Sequence, residues 1–227
     1  MTILSIKNLT YSIPYADSIL EGIDLDIHTG EFIGVLGHNG TGKTTLLDII
    51  LGLKKASQGS IEVLGENPHA VDRKKKNQIV FLSQDVSLKG NLTIGEFLKF
   101  HSTFYPDYSV EDEAELLKAF SLQKDQKVGA LSTGQQKKVQ VIAGFSTRPK
   151  LIIIDEITAV MDPETRDIFF HELQKVRNKY GAAAILATNI AEDLIERADK
   201  VMFIADKKCT LHEPGKILHL FNIGEAA

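Results

Sequence analysis

The segment from Gly37 to Thr45, GHNGTGKTT, limits most strongly what this chain of 227 residues can fold into. It fits the pattern G-x-x-x-x-G-K-[ST] and lies between an apolar run, Phe32–Leu36, and a helical pattern over Thr44–Leu53. In such a loop, glycines bring backbone N–H groups against phosphate oxygens, a lysine adds a positive charge and a hydroxyl can face Mg²⁺. The sequence therefore predicts a strand–loop–helix unit that binds the phosphates of a nucleotide.

The residues of this loop are the first candidate contacts for ATP. Lys43 is also a candidate catalytic residue because its charge can stabilise the transferring phosphate, and Thr44 is a candidate Mg²⁺ ligand. The predicted ATP contacts are Gly37, His38, Asn39, Gly40, Thr41, Gly42, Lys43, Thr44 and Thr45.

Alternating strand and helix patterns predict an α/β fold with a mostly parallel sheet. A helix is expected over Pro163–Tyr180, with Asp162 as its N-cap and proline at its first position. Glycine turns rather than helices separate the early strands through Leu64, which indicates an added antiparallel β piece. The predicted strands are Ile3–Ile6, Ile23–Ile27, Phe32–Leu36, Ile61–Val63, Ile79–Leu82, Leu151–Ile154, Ala183–Ala187 and Val201–Ile204.

The stretch from Thr93 to Lys127 has no strand pattern and contains two amphipathic runs, Ile94–Phe104 and Val110–Leu122. We expect one domain over residues 1–227, with a helical subdomain at about 90–148. The basic run Arg73–Lys76 is expected to be a solvated loop.

Composition restricts the partners and the location. The net charge is −4 and the pI is about 6.0, so no overall basic field favours nucleic acid, and nucleic acid is not an expected partner. Cys209 is the single cysteine, which suits a reducing compartment. The apolar runs are much shorter than the roughly 20 residues of a membrane span, and the N-terminus lacks the pattern of a signal peptide. We therefore expect a cytoplasmic chain.

A pair of carboxylates follows the apolar run Leu151–Ile154. Asp155 is a candidate ligand of Mg²⁺, directly or through water. Glu156, one residue beyond the strand, can accept a proton from the water that attacks the γ-phosphate. The two residues are therefore predicted to have separate roles, one in metal binding and one in catalysis.

A second anion-binding site is predicted where another helix begins. Ser132 is its expected N-cap, and the N–H groups of Thr133, Gly134 and Gln135 are expected to point outward. Because the first loop already surrounds one nucleotide, this helix end is best suited to a nucleotide held by another copy of the domain. These four residues are therefore also predicted ATP contacts.

Together these motifs resemble the ATP-binding cassette (ABC) family of P-loop NTPases over nearly the whole chain. GHNGTGKTT resembles the family's Walker A loop, LSTGQQ its signature and LIIIDE its Walker B strand. Gln84 resembles the Q-loop glutamine, which in this family contacts metal and water and couples to a transmembrane partner. Asp162 resembles the D-loop aspartate. The resemblance implies Mg²⁺ and ATP as cofactors, with Gln84 as both a metal ligand and a catalytic residue.

The resemblance also implies a head-to-tail dimer, homomeric or heteromeric. Each ATP in such a dimer lies between the Walker A loop of one subunit and the signature of the other. Adenine in this family stacks on an aromatic residue near the N-terminus. Tyr11 and Tyr15 are the candidates, although Ile13 occupies the commonest place, and Tyr15 is preferred.

The chain departs from the family after the strand Ala183–Ala187. Asn189 stands where the family has a histidine that contacts the γ-phosphate. An amide donates a hydrogen bond but cannot carry charge or relay a proton. Ile157 and the segment 159–161 also differ from the family pattern. We therefore expect slow rather than absent ATP turnover, with Asn189 at the catalytic position.

The predicted function is that of an ATPase subunit that powers a separate transmembrane permease, held peripherally on the inner face of the membrane. The segment Phe104–Pro106 within the helical insert is most similar to export-type cassettes. Two alternatives remain. One is a soluble, non-transport cassette of the iron–sulfur assembly type. The other is an ATP-gated dimerisation module with little hydrolysis, which Asn189 makes conceivable.

Overall fold

A computed structural model describes residues 1–13, 17–85, 88 and 90–217 of the chain. The chain forms two compact units. The first unit comprises Met1–Lys75 together with Ala183–Ala227, and the second comprises Lys76–Ala182. The first unit is thus assembled from both ends of the chain, whereas the second is one continuous stretch.

The first unit contains an antiparallel sheet in which β1 (Thr2–Ser12) lies between β2 (Ser18–His28) and β4 (Gln58–Val63). Alternate side chains of β1, such as Leu4 and Ile6, are fully buried. This alternation is typical of a sheet with one buried face. The predicted antiparallel β piece is confirmed.

The first unit also contains a second, mostly parallel group of strands. Here β3 (Phe32–Leu36) pairs in parallel with β7 (Ala183–Thr188) and with β8 (Lys200–Ala205). All residues of β3 and β7 are buried, as expected for parallel strands covered on both faces. An additional strand, β9 (Lys208–His212), pairs antiparallel with β8 and was not predicted.

Within the described residues, two helices and one 3₁₀ turn complete the first unit, and a third, short helix spans the boundary in sequence at Lys75. The helices are α1 (Lys43–Ile50), α2 (Arg73–Lys76) and α7 (Glu192–Ile195), and the 3₁₀ turn is Pro214–Lys216. The prediction of a loop over Arg73–Lys76 is wrong, because Asp72 Oδ1 accepts the Lys75 N–H at 2.9 Å and caps a short helix there. None of its residues is buried, so the predicted solvated face is correct.

The second unit pairs β5 (Ile79–Ser83) in parallel with β6 (Leu151–Asp155), which is buried along its whole length. In the part of the second unit that the structure describes, four helices and two 3₁₀ turns accompany these strands. The helices are α3 (Ile94–Ser102), α4 (Val110–Ala119), α5 (Thr133–Phe145) and α6 (Pro163–Tyr180), and the turns are Val128–Ala130 and Ile157–Val160. The α/β fold class and the helical insert are confirmed.

Each of these four helices begins at a polar side chain that accepts a backbone N–H of the first turn. The caps are Thr93, Ser109, Ser132 and Asp162. Such caps supply partners for amides that have none within the helix. Within the described residues, no helix is both long enough and apolar enough to cross a membrane.

Candidate functional site

The predicted phosphate loop lies in the first unit, between the end of β3 at Leu36 and the start of α1 at Lys43. Gly42 precedes the helix with φ +102°, and no side chain caps α1. A Cβ atom at Gly42 would lie 2.9 Å from both Ile19 and Leu20. Glycine is therefore required here for both backbone conformation and space, and the first-turn amides of α1 have no side-chain cap.

The Lys43 ammonium lies inside the curl of this loop. Lys43 is only 4% exposed, and its Nζ donates to the carbonyls of Gly37, at 2.8 Å, and His38, at 3.1 Å. Thr41 Oγ1 also donates to the His38 carbonyl, at 2.9 Å. Thr44, the predicted Mg²⁺ ligand, is exposed. The loop thus combines one cation with a helix N-terminus, an arrangement suited to phosphate.

Asn189 lies next to the start of the loop. Because β3 and β7 pair in parallel with Leu36 opposite Thr188, the next residues of the two strands, Gly37 and Asn189, emerge side by side. Asn189 is half-buried, and the following turn is fixed by the Ile190 N–H, which donates to Thr188 Oγ1 at 3.0 Å. The amide is therefore held at the strand end where the phosphate loop begins.

The predicted carboxylates and Gln84 come together in the second unit. The β5–β6 register pairs Ser83 with Asp155, and the Gln84 N–H donates to the Asp155 carbonyl at 3.2 Å. Gln84 Nε2 donates to Glu156 Oε2 at 3.1 Å. Glu156 is half-buried and has φ +50°, a left-handed conformation that is uncommon for a non-glycine residue and recurs at functional sites.

The predicted second anion site begins α5 with a reciprocal cap. Ser132 Oγ accepts the Gln135 N–H at 3.3 Å, and Gln135 Oε1 accepts the Ser132 N–H at 3.0 Å. The prediction that the Gln135 N–H points outward is therefore wrong, because the cap uses it. The amides of Thr133 and Gly134 belong to the first turn, where helix geometry supplies no partner.

Asp162 has a structural role in addition to its predicted D-loop role. Its two carboxylate oxygens accept hydrogen bonds from the Thr165 N–H, at 2.8 Å, and from Thr165 Oγ1, at 2.7 Å. These bonds hold the pKa of Asp162 below its usual value. Asp162 is thus the N-cap of α6, as predicted.

The residues considered for the adenine contact lie near the N-terminus. Tyr15 lies outside the described residues. Tyr11 is half-buried in β1, and Ile13 is 46% exposed.

Two residues near Gln84 were not predicted. Gln136 and Lys137, in the first turns of α5, bond the backbone on either side of Gln84. Lys137 is only 2% exposed, a burial that the charge of its side chain did not predict.

A strand–loop–helix with this glycine pattern, together with a buried strand that ends at Asp155 and is followed by Glu156, defines the class of P-loop nucleoside triphosphatases. The ABC transporter family model matches residues 20–159, more than half of the chain. The chain therefore belongs to the ABC transporter family, and the prediction of an ABC transporter ATP-binding subunit is confirmed.

Individual relatives agree with this assignment. The energy-coupling factor transporter ATP-binding protein EcfA2 of Clostridium acetobutylicum is 30% identical over 239 residues, covering 96% of this chain and 81% of its own length. MG065 of Mycoplasma genitalium, described as an ABC transporter ATP-binding protein, is 35% identical over 202 residues. That match covers 85% of this chain but 43% of MG065.

The fold is shared with a solved structure. CbiO1 of Clostridium perfringens, described as part of the ABC transporter complex cbiONQ, superposes with a TM-score of 0.81 at 24% identity. The superposition covers 98% of this chain and 92% of CbiO1. The predicted P-loop NTPase fold is confirmed.

Proposed function

We propose that this chain hydrolyses ATP and thereby drives a separate transmembrane permease. The observation that carries the proposal is the Gly37–Thr45 loop, with the Lys43 ammonium held inside its curl at the N-terminus of α1. Backbone amides, a helix end and a buried cation together favour a polyphosphate over a neutral ligand. ATP is the polyphosphate that membership of the ABC family implies.

Glu156 is the proposed general base. Its carboxylate accepts a hydrogen bond from Gln84, whose amide fixes the orientation of the carboxylate toward the attacking water. Lys43 supplies positive charge to the phosphate that is transferred. Asn189, at the neighbouring strand end, donates a hydrogen bond to phosphate without carrying charge.

The donor set proposed for the metal fits Mg²⁺. The Thr44 hydroxyl, the Asp155 carboxylate and the Gln84 amide oxygen are hard oxygen donors, which Mg²⁺ prefers. When bound, Mg²⁺ neutralises charge that develops on the phosphate oxygens.

The site is proposed to be completed by a second cassette, homomeric or heteromeric. Ser132, Thr133, Gly134 and Gln135 of one chain would face the nucleotide held by the loop of the other. The first-turn amides of Thr133 and Gly134 support this role, because they form a helix N-terminus with affinity for anions. Asp162 would act near the same contact, and Tyr15 would stack on adenine.

The transmembrane partner is a separate polypeptide in this proposal, and the chain is peripheral on the inner face of the membrane. The relatives named for an energy-coupling factor transporter and for the cbiONQ complex support a multi-component system. Export stays a prediction that rests on Phe104–Pro106, and neither relative is named for export. Uptake by inside-out and right-side-out vesicles carrying the complex distinguishes the two directions.

The hydrolytic role is tested by comparing the purified chain with Glu156→Gln. We expect kcat to fall by about 100-fold or more, since a positioned general base contributes on the order of 10²–10⁴. Glu62→Gln, the same change at an exposed position of β4, is the matched control and is expected to retain full activity. If Glu156→Gln hydrolyses ATP as fast as an active parent, Glu156 is not the base. If ATP binds but neither protein hydrolyses it measurably, the chain is instead an ATP-gated dimerisation module.

The transport role is tested by affinity capture of the full chain from a detergent extract of its own cells. A stoichiometric hydrophobic partner supports a permease-driving subunit. Recovery of soluble iron–sulfur assembly proteins without such a partner contradicts it.

A further inference from the structure

Two residues of α5 form hydrogen bonds with the backbone before and after Gln84, which lies in a turn. Gln84 follows the last residue of β5, Ser83, and its own N–H is bonded to the end of β6. Its side chain reaches Glu156 at 3.1 Å. Small movements of this turn therefore change the hydrogen bond between Gln84 and the proposed base.

Lys137 contacts the backbone directly before Gln84. Its Nζ donates to the Ser83 carbonyl at 3.1 Å, directly before Gln84 in the chain. Lys137 is 2% exposed, and an ammonium at such a depth carries a desolvation cost that an apolar side chain would avoid. Burial lowers the pKa of Lys137, and the charge of Asp85 opposes that effect. Stability alone therefore does not explain a lysine at this position.

Gln136, the residue before Lys137 in α5, contacts the backbone after Gln84. Its Oε1 accepts the Leu88 N–H at 3.1 Å, beyond Gln84 in the chain. Its Nε2 donates to the Leu131 carbonyl at 3.3 Å, directly before the cap residue Ser132. One side chain thus connects the segment after Gln84 with the start of α5.

We propose that Lys137 and Gln136 are positioning residues, which set the place of Gln84 against Glu156 according to the position of α5. This inference rests on the proposed function, because it takes Glu156 as the base and the N-terminus of α5 as the end that faces a second nucleotide. Gln136 lies one helical turn after Ser132, so a displacement of that N-terminus moves both bonds to the Gln84 turn. Binding of a phosphate to the amides of Thr133 and Gly134 then changes the position of Gln84 relative to Glu156.

Lys137→Met tests the hydrogen bond from Lys137 to the Ser83 carbonyl, because methionine keeps an unbranched chain but cannot donate a hydrogen bond. We expect kcat to fall by about threefold to tenfold, the effect of one lost hydrogen bond that orients a catalytic group. ATP affinity, measured by titration with a fluorescent ATP analogue, is expected to stay within about twofold, because Lys137 does not belong to the phosphate loop. The melting temperature is expected to stay or rise, since a buried charge is removed.

Two further variants separate positioning from a general effect of mutation. Lys137→Arg retains a donor and is expected to recover part of the lost kcat. Lys118→Met, an exposed lysine of α4, is the matched control and is expected to match the parent. If Lys137→Met does not fold, the half-buried Gln136→Ala decides the proposal, with the same expected loss of kcat at unchanged ATP affinity.

A double-mutant cycle with Gln84→Ala decides whether the effect acts through Gln84. In the Gln84→Ala background we expect Lys137→Met to cause no further loss, because the residue it positions is absent. Equal losses in both backgrounds, or no loss in either, overturn the inference. Glu156→Gln, measured beside these variants, separates the two proposals. If Glu156→Gln leaves hydrolysis unchanged, the proposed function of Glu156 is refuted as well. If Glu156→Gln abolishes hydrolysis but Lys137→Met has no effect, only the positioning role is refuted.

Discussion

Asn189 is the residue most informative about the rate of hydrolysis. It lies at the end of β7, beside the first residue of the phosphate loop, where the family has histidine. The amide donates a hydrogen bond but neither carries charge nor acts as an acid or base near neutral pH. We therefore expect slow turnover, with the binding of ATP, which depends on the loop, unaffected.

Asn189→His is therefore expected to raise kcat by about threefold to tenfold, a part of the 10²–10⁴ that a well-placed acid–base group contributes. Steady-state phosphate release at saturating ATP measures the change. Asn189→Ala, which removes the donor, is expected to lower kcat. The hypothesis of slow turnover is wrong if the histidine variant gains nothing.

Gly42 in the phosphate loop is expected to tolerate substitution poorly. An alanine there has to adopt φ +102° and also place its Cβ 2.9 Å from Ile19 and Leu20. We expect Gly42→Ala to lower the free energy of unfolding by about 2–5 kcal/mol, the sum of backbone strain and overpacking. Loss of ATP binding is expected with it.

Gly65→Ala is the matched control for this prediction. Gly65 has φ +75°, but a Cβ there would meet no atom within 4 Å. The control is therefore expected to cost only about 1–2 kcal/mol, the backbone contribution alone. Chemical denaturation of both variants measures the difference, and equal costs would show that the contacts with Ile19 and Leu20 do not matter.

The parts of the candidate site that are formed by neighbouring residues in the sequence could be predicted. The loop, the carboxylates after β6 and the Ser132 cap all belong to short segments with their own patterns. Gln136 and Lys137 could not be identified in this way, because their partners Leu88 and Ser83 lie 48 and 54 residues away in the chain. Only the folded backbone brings those partners together.

At the scale of elements, Asp112 links three helical segments of the second unit. It lies in α4 and accepts from Lys179 at 2.7 Å and from Tyr180 at 2.5 Å, both at the end of α6, and from Arg148 at 3.2 Å, after α5. Burial raises the pKa of Asp112, but these bonds together with that to Ser109 hold it below 3.8. The carboxylate is thus the shared acceptor of the α4–α6 contact.

Asp112→Asn is expected to lower the free energy of unfolding by about 1–2 kcal/mol, since charged hydrogen bonds are lost but Lys179 and Arg148 are half-exposed. Because the pKa of Asp112 is lower in the folded state, its stabilisation is present above pH 3.8 and is lost as the pH falls through the folded value. Urea denaturation at neutral and acidic pH measures both effects. Asp107→Asn, at an exposed position, is expected to show neither.

Elements with clear periodicity were predicted and those without it were missed. The apolar runs gave all of the strands from β1 to β8, although β1 and β2 are longer than their apolar centres. β9, with the sequence KCTLH, pairs with β8 and has no buried residue, so no apolar alternation marked it. α2 consists of four basic residues, and its helical state depends on the Asp72 cap.

At the scale of the whole molecule, the division into two units depends on contacts that no local pattern contains. The helical subdomain predicted at about 90–148 lies inside the second unit, Lys76–Ala182, which also includes β5, β6 and α6. The first unit joins strands near both ends of the chain, such as β3 and β8. Sequence patterns identify such strands but do not show which of them pair.

The proposed dimer is expected to form only when ATP is bound. In Glu156→Gln, ATP is expected to bind but to be hydrolysed at least about 100-fold more slowly, so two chains are expected to remain closed over two nucleotides. Size-exclusion chromatography with light scattering should then show a mass doubled from 25.1 kDa when ATP and Mg²⁺ are present, and a monomer without them. The nucleotide dependence follows because binding to the dimer alone shifts the monomer–dimer equilibrium by mass action.

Thr133→Glu in the Glu156→Gln background tests which surface closes the dimer. A carboxylate in the first turn of α5 is favourable to the helix dipole, so folding is expected to be intact. The same charge repels the phosphates of a nucleotide held by the other chain, so the ATP-dependent dimer is expected to disappear while each monomer still binds ATP. Thr133→Gln, of similar size but neutral, should keep the dimer. A dimer that survives Thr133→Glu would place the second nucleotide contact away from α5.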